Sequence, residues 1–169
     1  MNLHELKKML KLPPYILGHI KVLNPEIDYQ IKMDKATTSY QFELTFSVRD
    51  YECDLQGIVN NSVYLNYFEH ARHTFLIEKD IDFAGLHNQG IDLVVSRIEV
   101  DYKISLTSGD LFIVKINAHK EGQLRLVFEQ DIFKLPENKL VAHARVIGVG
   151  LRNGRPFRLE DVPGFNQFT

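Results

Sequence analysis

The stretch Phe42-Glu43-Leu44-Thr45-Phe46-Ser47-Val48-Arg49-Asp50-Tyr51-Glu52-Cys53-Asp54-Leu55-Gln56-Gly57-Ile58-Val59-Asn60-Asn61-Ser62 changes its pattern twice. Up to Val48 it alternates. Phe42, Leu44, Phe46 and Val48 share one face, and Gln41, Glu43, Thr45 and Arg49 share the other, as a half-buried strand requires. Asp50 to Gly57 breaks the alternation, and Asn60-Asn61-Ser62 then supplies side chains suited to cap a helix. Tyr64, Tyr67, Phe68, Ala71 and Phe75 follow at helical spacing, so residues 62–78 are predicted to form one helix with an apolar stripe. At 1.5 Å per residue it is about 25 Å long, enough to lie along a sheet.

Downstream, Leu93–Ile104, Leu111–His119, Leu124–Leu135 and Leu140–Leu151 read as strands. Turn residues separate the later ones: Ser108-Gly109-Asp110, Glu121-Gly122 and Pro136-Glu137-Asn138. The short links predict an antiparallel meander of these four. A sheet of about five strands with one long helix packs efficiently when the sheet curls around the helix, an α+β architecture.

Upstream lies a Lys-rich, Pro-punctuated stretch, which places a boundary near residue 40. Residues 1–40 are expected to be an N-terminal extension, an arm packed on the domain or a docking segment, and 41–169 the folded domain. Leu3, Leu6 and Leu10 suggest a short amphipathic helix that Pro13 and Pro14 stop.

The bulk numbers narrow the class. The 169 residues suit one domain with a real core, and 44% hydrophobic with 25% charged residues is an ordinary globular mixture. A net charge of -2 gives no general attraction to nucleic acid or to acidic membranes. No apolar run is long enough to span a bilayer. Cys53 is the single cysteine, which excludes an intramolecular disulfide and suits a reducing compartment. With no signal or transit pattern, the expected location is the cytoplasm.

The strand-to-helix stretch also resembles the signature of the hotdog thioesterases, in particular the 4-hydroxybenzoyl-CoA thioesterase-like group. There an acidic residue, two residues, a glycine and a hydrophobic pair lead into a helix of the form Tyr-x-x-Tyr-Phe-Glu-x-Ala-Arg. Here the helix reads Tyr64-Leu65-Asn66-Tyr67-Phe68-Glu69-His70-Ala71-Arg72. Asn60-Asn61-Ser62-Val63-Tyr64, with Arg72-His73, is closest to the plant acyl-lipid thioesterase branch. The resemblance covers about residues 41–150. It implies a hotdog fold, acyl-CoA or acyl-carrier-protein as substrate, a homodimer or tetramer, no cofactor, Asp54 as the catalytic acid and the backbone N–H of Asn61 as oxyanion donor. Some relatives have histidine where this chain has Asn61.

The residues support that chemistry independently. Asp54 precedes a helix N-terminus, where unpaired N–H groups and the positive end of the dipole concentrate. A thioester carbonyl there would be polarised, and the carboxylate could attack it or activate water. Gly57 would allow a positive φ or a close backbone approach. Taken alone, Asp54 could instead cap the helix or meet Arg49 or Arg72. The substrate-binding candidates are Val59, Asn60, Tyr64, Tyr67, Phe68 and Glu69, with Arg97, Lys103, Lys120 and Arg125 for nucleotide phosphates and Arg152, Arg155 and Arg158 in the tail.

Other signals are weaker. Glu69 could be a second carboxylate but is expected to pair with a neighbouring Arg or Lys, such as Arg72. His70 and His73 invite a metal reading, but consecutive helical positions diverge and no third ligand has a suitable spacing. Cys53 reads as a small packing residue beside the site. A hotdog dehydratase usually carries a histidine in the loop, and none lies between Tyr40 and Glu69. A non-catalytic acyl-CoA-binding module is the alternative from another class. In a dimer, the last strand or the one before it is expected to be the paired edge.

Overall fold

The computed structural model of the protein describes residues 39–162 and 164–169. The readings of a helix over residues 2–10 and of an arm or docking segment up to residue 40 lie outside them. In chain order the described residues form β1 (Phe42–Ser47), a 3-10 turn (Asp50–Glu52), α1 (Asn61–Glu78), α2 (Phe83–Asn88), β2 (Ile91–Tyr102), β3 (Leu111–Glu121), β4 (Arg125–Lys134), β5 (Lys139–Arg152) and β6 (Arg155–Pro156). Two 3-10 turns, Leu159–Asp161 and Phe165–Gln167, follow. The long helix starts within a residue of expectation, and the four later strands start and end within about two.

All strands form one antiparallel sheet in the order β1-β3-β4-β5-β2, with β6 a short addition to β5. This corrects two expectations. First, only β3, β4 and β5 form a meander: β2 lies beyond β5, joined to it from Ile91↔Arg152 to Tyr102↔Ala142. The link over residues 103–110 is long enough to cross the N-terminus of α1, and its buried Leu106 pins it there. Second, β4 and β5 are both interior, so the edges are β1 and β2, not the last strand or the one before it.

The inner face of the sheet and one face of α1 make the core. Phe112, Val114, Ile116 and Ala118 alternate inward from β3 and are all buried. From the helix, Tyr67, Phe68, Ala71 and Phe75 meet them. Tyr67 lies 4.7 Å from the Phe112 ring, and Phe75 lies 5.6 Å from Phe42. Each such aromatic contributes roughly 1.5–3 kcal/mol through burial.

The C-terminal segment completes this core. Leu159, Val162, Phe165 and Phe168 are buried, and Phe168 packs 6.0 Å from Phe75. Gly164 makes the turn at φ +84°, where a Cβ would also come within 3.1 Å of Ile81. Neither this closure nor α2 was predicted. α2 has six residues and contains Gly85, too short a run for helical spacing to emerge.

Candidate active site

The loop between β1 and α1 is fixed from below by Glu52. This carboxylate is buried and accepts from the Arg49 backbone N–H at 2.7 Å, the Arg49 guanidinium at 3.1 Å and the Tyr67 hydroxyl at 2.7 Å. Burial alone would raise its pKa, but these donations outweigh burial and hold it below the usual carboxylate value. Burial and the bond to Glu52 push the Tyr67 phenol well above its ordinary range.

Above this anchor the chain folds back on itself. Cys53 bridges Val59, and Asp54 N–H donates to Ile58 O at 2.9 Å. Gly57 N–H donates to Asp54 O at 3.0 Å, closing a tight turn, and Gln56 N–H donates to the Asp54 carboxylate at 2.8 Å. Gly57 adopts φ +74° and has no atom within 4 Å of where a Cβ would sit, so backbone conformation, not crowding, calls for glycine. The turn holds Asp54 half-buried with one oxygen engaged.

At the start of α1 the Asn60 side chain accepts from Ser62 N–H at 3.0 Å, the expected cap. Asn61 N–H has no acceptor among the described residues. The carbonyl of Asn61 accepts from the Tyr102 hydroxyl at 3.0 Å, which ties the end of β2 to the helix start. The crossing link adds a second wall: Val59 N–H donates to Leu106 O at 2.9 Å, Ile58 bridges Thr107, and Leu106 N–H donates to the Tyr64 hydroxyl at 3.2 Å. The result is an open cleft of about 330 Å³ that Asp54, Val59, Asn61 and Tyr64 share with Tyr102 and Lys103.

The other candidates lie elsewhere. Tyr67 and Phe68 are core residues, 4% and 1% exposed. Asn60 serves as the cap. Arg97 pairs with Glu99 and Arg125 with Glu121. Lys120 sits opposite Leu126 where β3 pairs with β4. Of the tail arginines, Arg158 pairs with Glu160 and Arg152 lies over the Phe157 ring, while Arg155 is paired in register with Arg152 on β6. Glu69 does not pair with Arg72 as expected: its partner is His73 at 4.0 Å, while Arg72 turns inward to Gln130. His70 stands against Phe46 and His73 against Phe83, and no metal-binding group of three or more side chains occurs among the described residues.

Gln56, Tyr102, Ile104 and Ser105 also line the cleft and were not foreseen as binding residues. A usable signal was present in the link: Leu106, flanked by Ser105 and Thr107, in a segment too long for a tight hairpin.

A sheet wrapped around one long helix, with a carboxylate turn at the helix start, defines the hotdog class. The thioesterase-like superfamily matches residues 48–164, and this chain belongs to it. It is 34% identical to an acyl-acyl carrier protein thioesterase, chloroplastic, of Arabidopsis thaliana, over 93% of this chain and 81% of that one. Among solved structures, a hypothetical protein of Aquifex aeolicus superimposes with TM-score 0.65 at 31% identity, covering 70% of this chain and 92% of that one. A 1,4-dihydroxy-2-naphthoyl-CoA thioesterase of Synechocystis shares the fold, with TM-score 0.66 at 18% identity over 70% and 88% of the two chains. No helix among the described residues is long and apolar enough to cross a membrane.

Proposed function

We propose that this chain hydrolyses an acyl thioester, of coenzyme A or of an acyl carrier protein, to the free acid and the thiol. One observation carries the reading: Asp54 and the acceptor-free N–H of Asn61 border the same cleft. A thioester carbonyl accepting from that N–H, at the positive end of α1, is polarised at carbon. Asp54 takes a proton from water as the hydroxide attacks, or its free oxygen attacks directly and water then cleaves the anhydride. In either course the tetrahedral oxyanion collapses, the C–S bond breaks and the thiolate leaves to become the thiol. Arg97 and Arg125 lie outside the cleft and are paired with Glu99 and Glu121, and Lys103, the one basic residue among the described residues lining it, is itself 3.7 Å from Asp101. That favours the carrier-protein thioester over one that must hold nucleotide phosphates.

In this reading residues 1–40 are an extension to the catalytic domain of 41–169, the compartment is the cytoplasm, and the active molecule is at least a homodimer. The experiment is thiol release from aromatic and aliphatic acyl-CoAs and from acyl carrier protein, by the chain and by Asp54→Asn. The folded variant is expected to lose roughly 10²–10⁴-fold in kcat with KM little changed. Unchanged hydrolysis would remove Asp54 from the mechanism. Saturable acyl-CoA binding without any thiol release would make the protein an acyl binder. Label found in Asp54 after a single turnover in ¹⁸O-water would establish direct attack, since it requires an anhydride that water opens at the Asp54 carbon.

A further inference from the structure

A second cavity, of about 320 Å³, opens beside the other half of α1, against the inner face of β2, β4 and β5. Its walls are apolar, with Leu76, Phe83, Leu93, Leu126 and Phe128 prominent, and none of the residues named for the Asp54 cleft belongs to it. Gly148 and Gly150 line it from β5, where side chains would otherwise reach toward the helix. The volume falls at the small end of ligand pockets.

One residue does not fit an empty apolar hole. Arg72 lines the cavity, is 6% exposed, and donates from Nη1 to Gln130 Oε1 at 2.8 Å. Gln130 is wholly buried and spends its amide on Phe68 O at 3.0 Å, so it supplies a dipole and no charge. Among the described residues no carboxylate lies within 4.0 Å of the guanidinium, and its remaining N–H groups have no acceptor. They are not sealed off by protein either. Burial lowers the Arg72 pKa to about 10, against the opposing field of Glu69, so the group stays charged at neutral pH. Removing an ion from water without a counter-charge is unfavourable. A carboxylate offers the planar, two-oxygen acceptor that a guanidinium matches best. Glu69 at the rim is the one acid among the lining residues; it is more than half exposed and associated with His73, so water screens it.

We infer that this cavity binds a carboxylate with an apolar body, its head group on Arg72 and its chain against the walls beside Gly148. Acids released by thioester hydrolysis belong to that chemical class, so the cavity is a site where product acid lodges apart from Asp54. The inference does not require Asp54 chemistry: a protein that hydrolyses nothing would still bind such an acid.

The test is calorimetric titration of the full chain with octanoate and with octanol, repeated on Arg72→Met and on Gly148→Val. A Cβ at Gly148 would meet nothing closer than Leu126 O at 3.6 Å, an ordinary contact, and the two methyl groups of valine would add bulk at this cavity wall. Octanoate is expected to bind saturably, roughly tenfold or more weakly in Arg72→Met, and not measurably in Gly148→Val. On the unaltered chain, octanol should bind no better than octanoate binds Arg72→Met. Should Arg72→Met fail to fold, Gly148→Val and the octanol comparison decide. Equal affinity for octanol and octanoate, octanoate binding that survives in the folded variants, or no saturable binding would each overturn the inference. Thiol release by the same samples is read separately, so loss of one finding leaves the other standing.

Discussion

Glu52 illustrates how a residue outside the cleft sets the loop that carries Asp54. It holds Arg49 and Tyr67 in one cluster, and its backbone carbonyl accepts from Asn60 N–H at 3.0 Å. Tyr67→Phe removes a donor to a buried carboxylate and should cost about 1.5–3 kcal/mol at neutral pH. The pH dependence follows from the lowered pKa of Glu52. A carboxyl held below its unfolded value, about 4.3, stabilises the fold above that pH and loses this contribution as pH falls through the folded pKa. The gap between the chain and Tyr67→Phe in urea unfolding should therefore be wide near neutral pH and narrow in acid. A gap independent of pH would mean that Tyr67 acts through packing alone. At this scale the sequence was informative where chemistry is local. Asp54, Gly57, Asn60 and Asn61 lie within a few positions, and turn and cap rules apply to them directly. Gln56 was passed over as a loop residue. Tyr102 was invisible as a site residue because its approach to Asn61 depends on how the sheet is ordered.

Strand order is where reading by segments stopped. Each strand announced itself by alternation, yet alternation says nothing about neighbours. Short links suggested that β2 pairs with β3, whereas eight residues, 103–110, carry the chain across α1 and leave β2 paired only to β5. The consequence is an edge: β2 exposes Val95 and Ile98, 49% and 39%, on one face and Val94, 39%, on the other, apolar side chains along a strand with one unpaired side. Such edges favour pairing with another strand. If the proposed homodimer forms there, Val95→Lys with Ile98→Lys should shift sedimentation from dimer to monomer without unfolding the chain. A dimer that persists unchanged would exclude β2 as its seam.

For the molecule as a whole, the fold class was legible because one amphipathic helix and strands of alternating pattern allow few packings. The closing segment was not, since Phe157, Leu159, Val162, Phe165 and Phe168 sit in irregular backbone without period. The proposed division near residue 40 leads to a prediction at this scale. If residues 1–38 serve docking, their removal should leave acyl-CoA turnover intact and lower turnover of acyl carrier protein; loss of folding would make them structural. The aromatic closure has a bearing on synthesis. Phe75 leaves the ribosome long before Phe168, the ring that packs on it, and Ile81 long before Gly164, the turn that lies against it. Through most of translation the far half of α1 therefore carries a sticky, uncovered surface. The nascent chain is a natural client for holding chaperones until its last aromatic residues arrive.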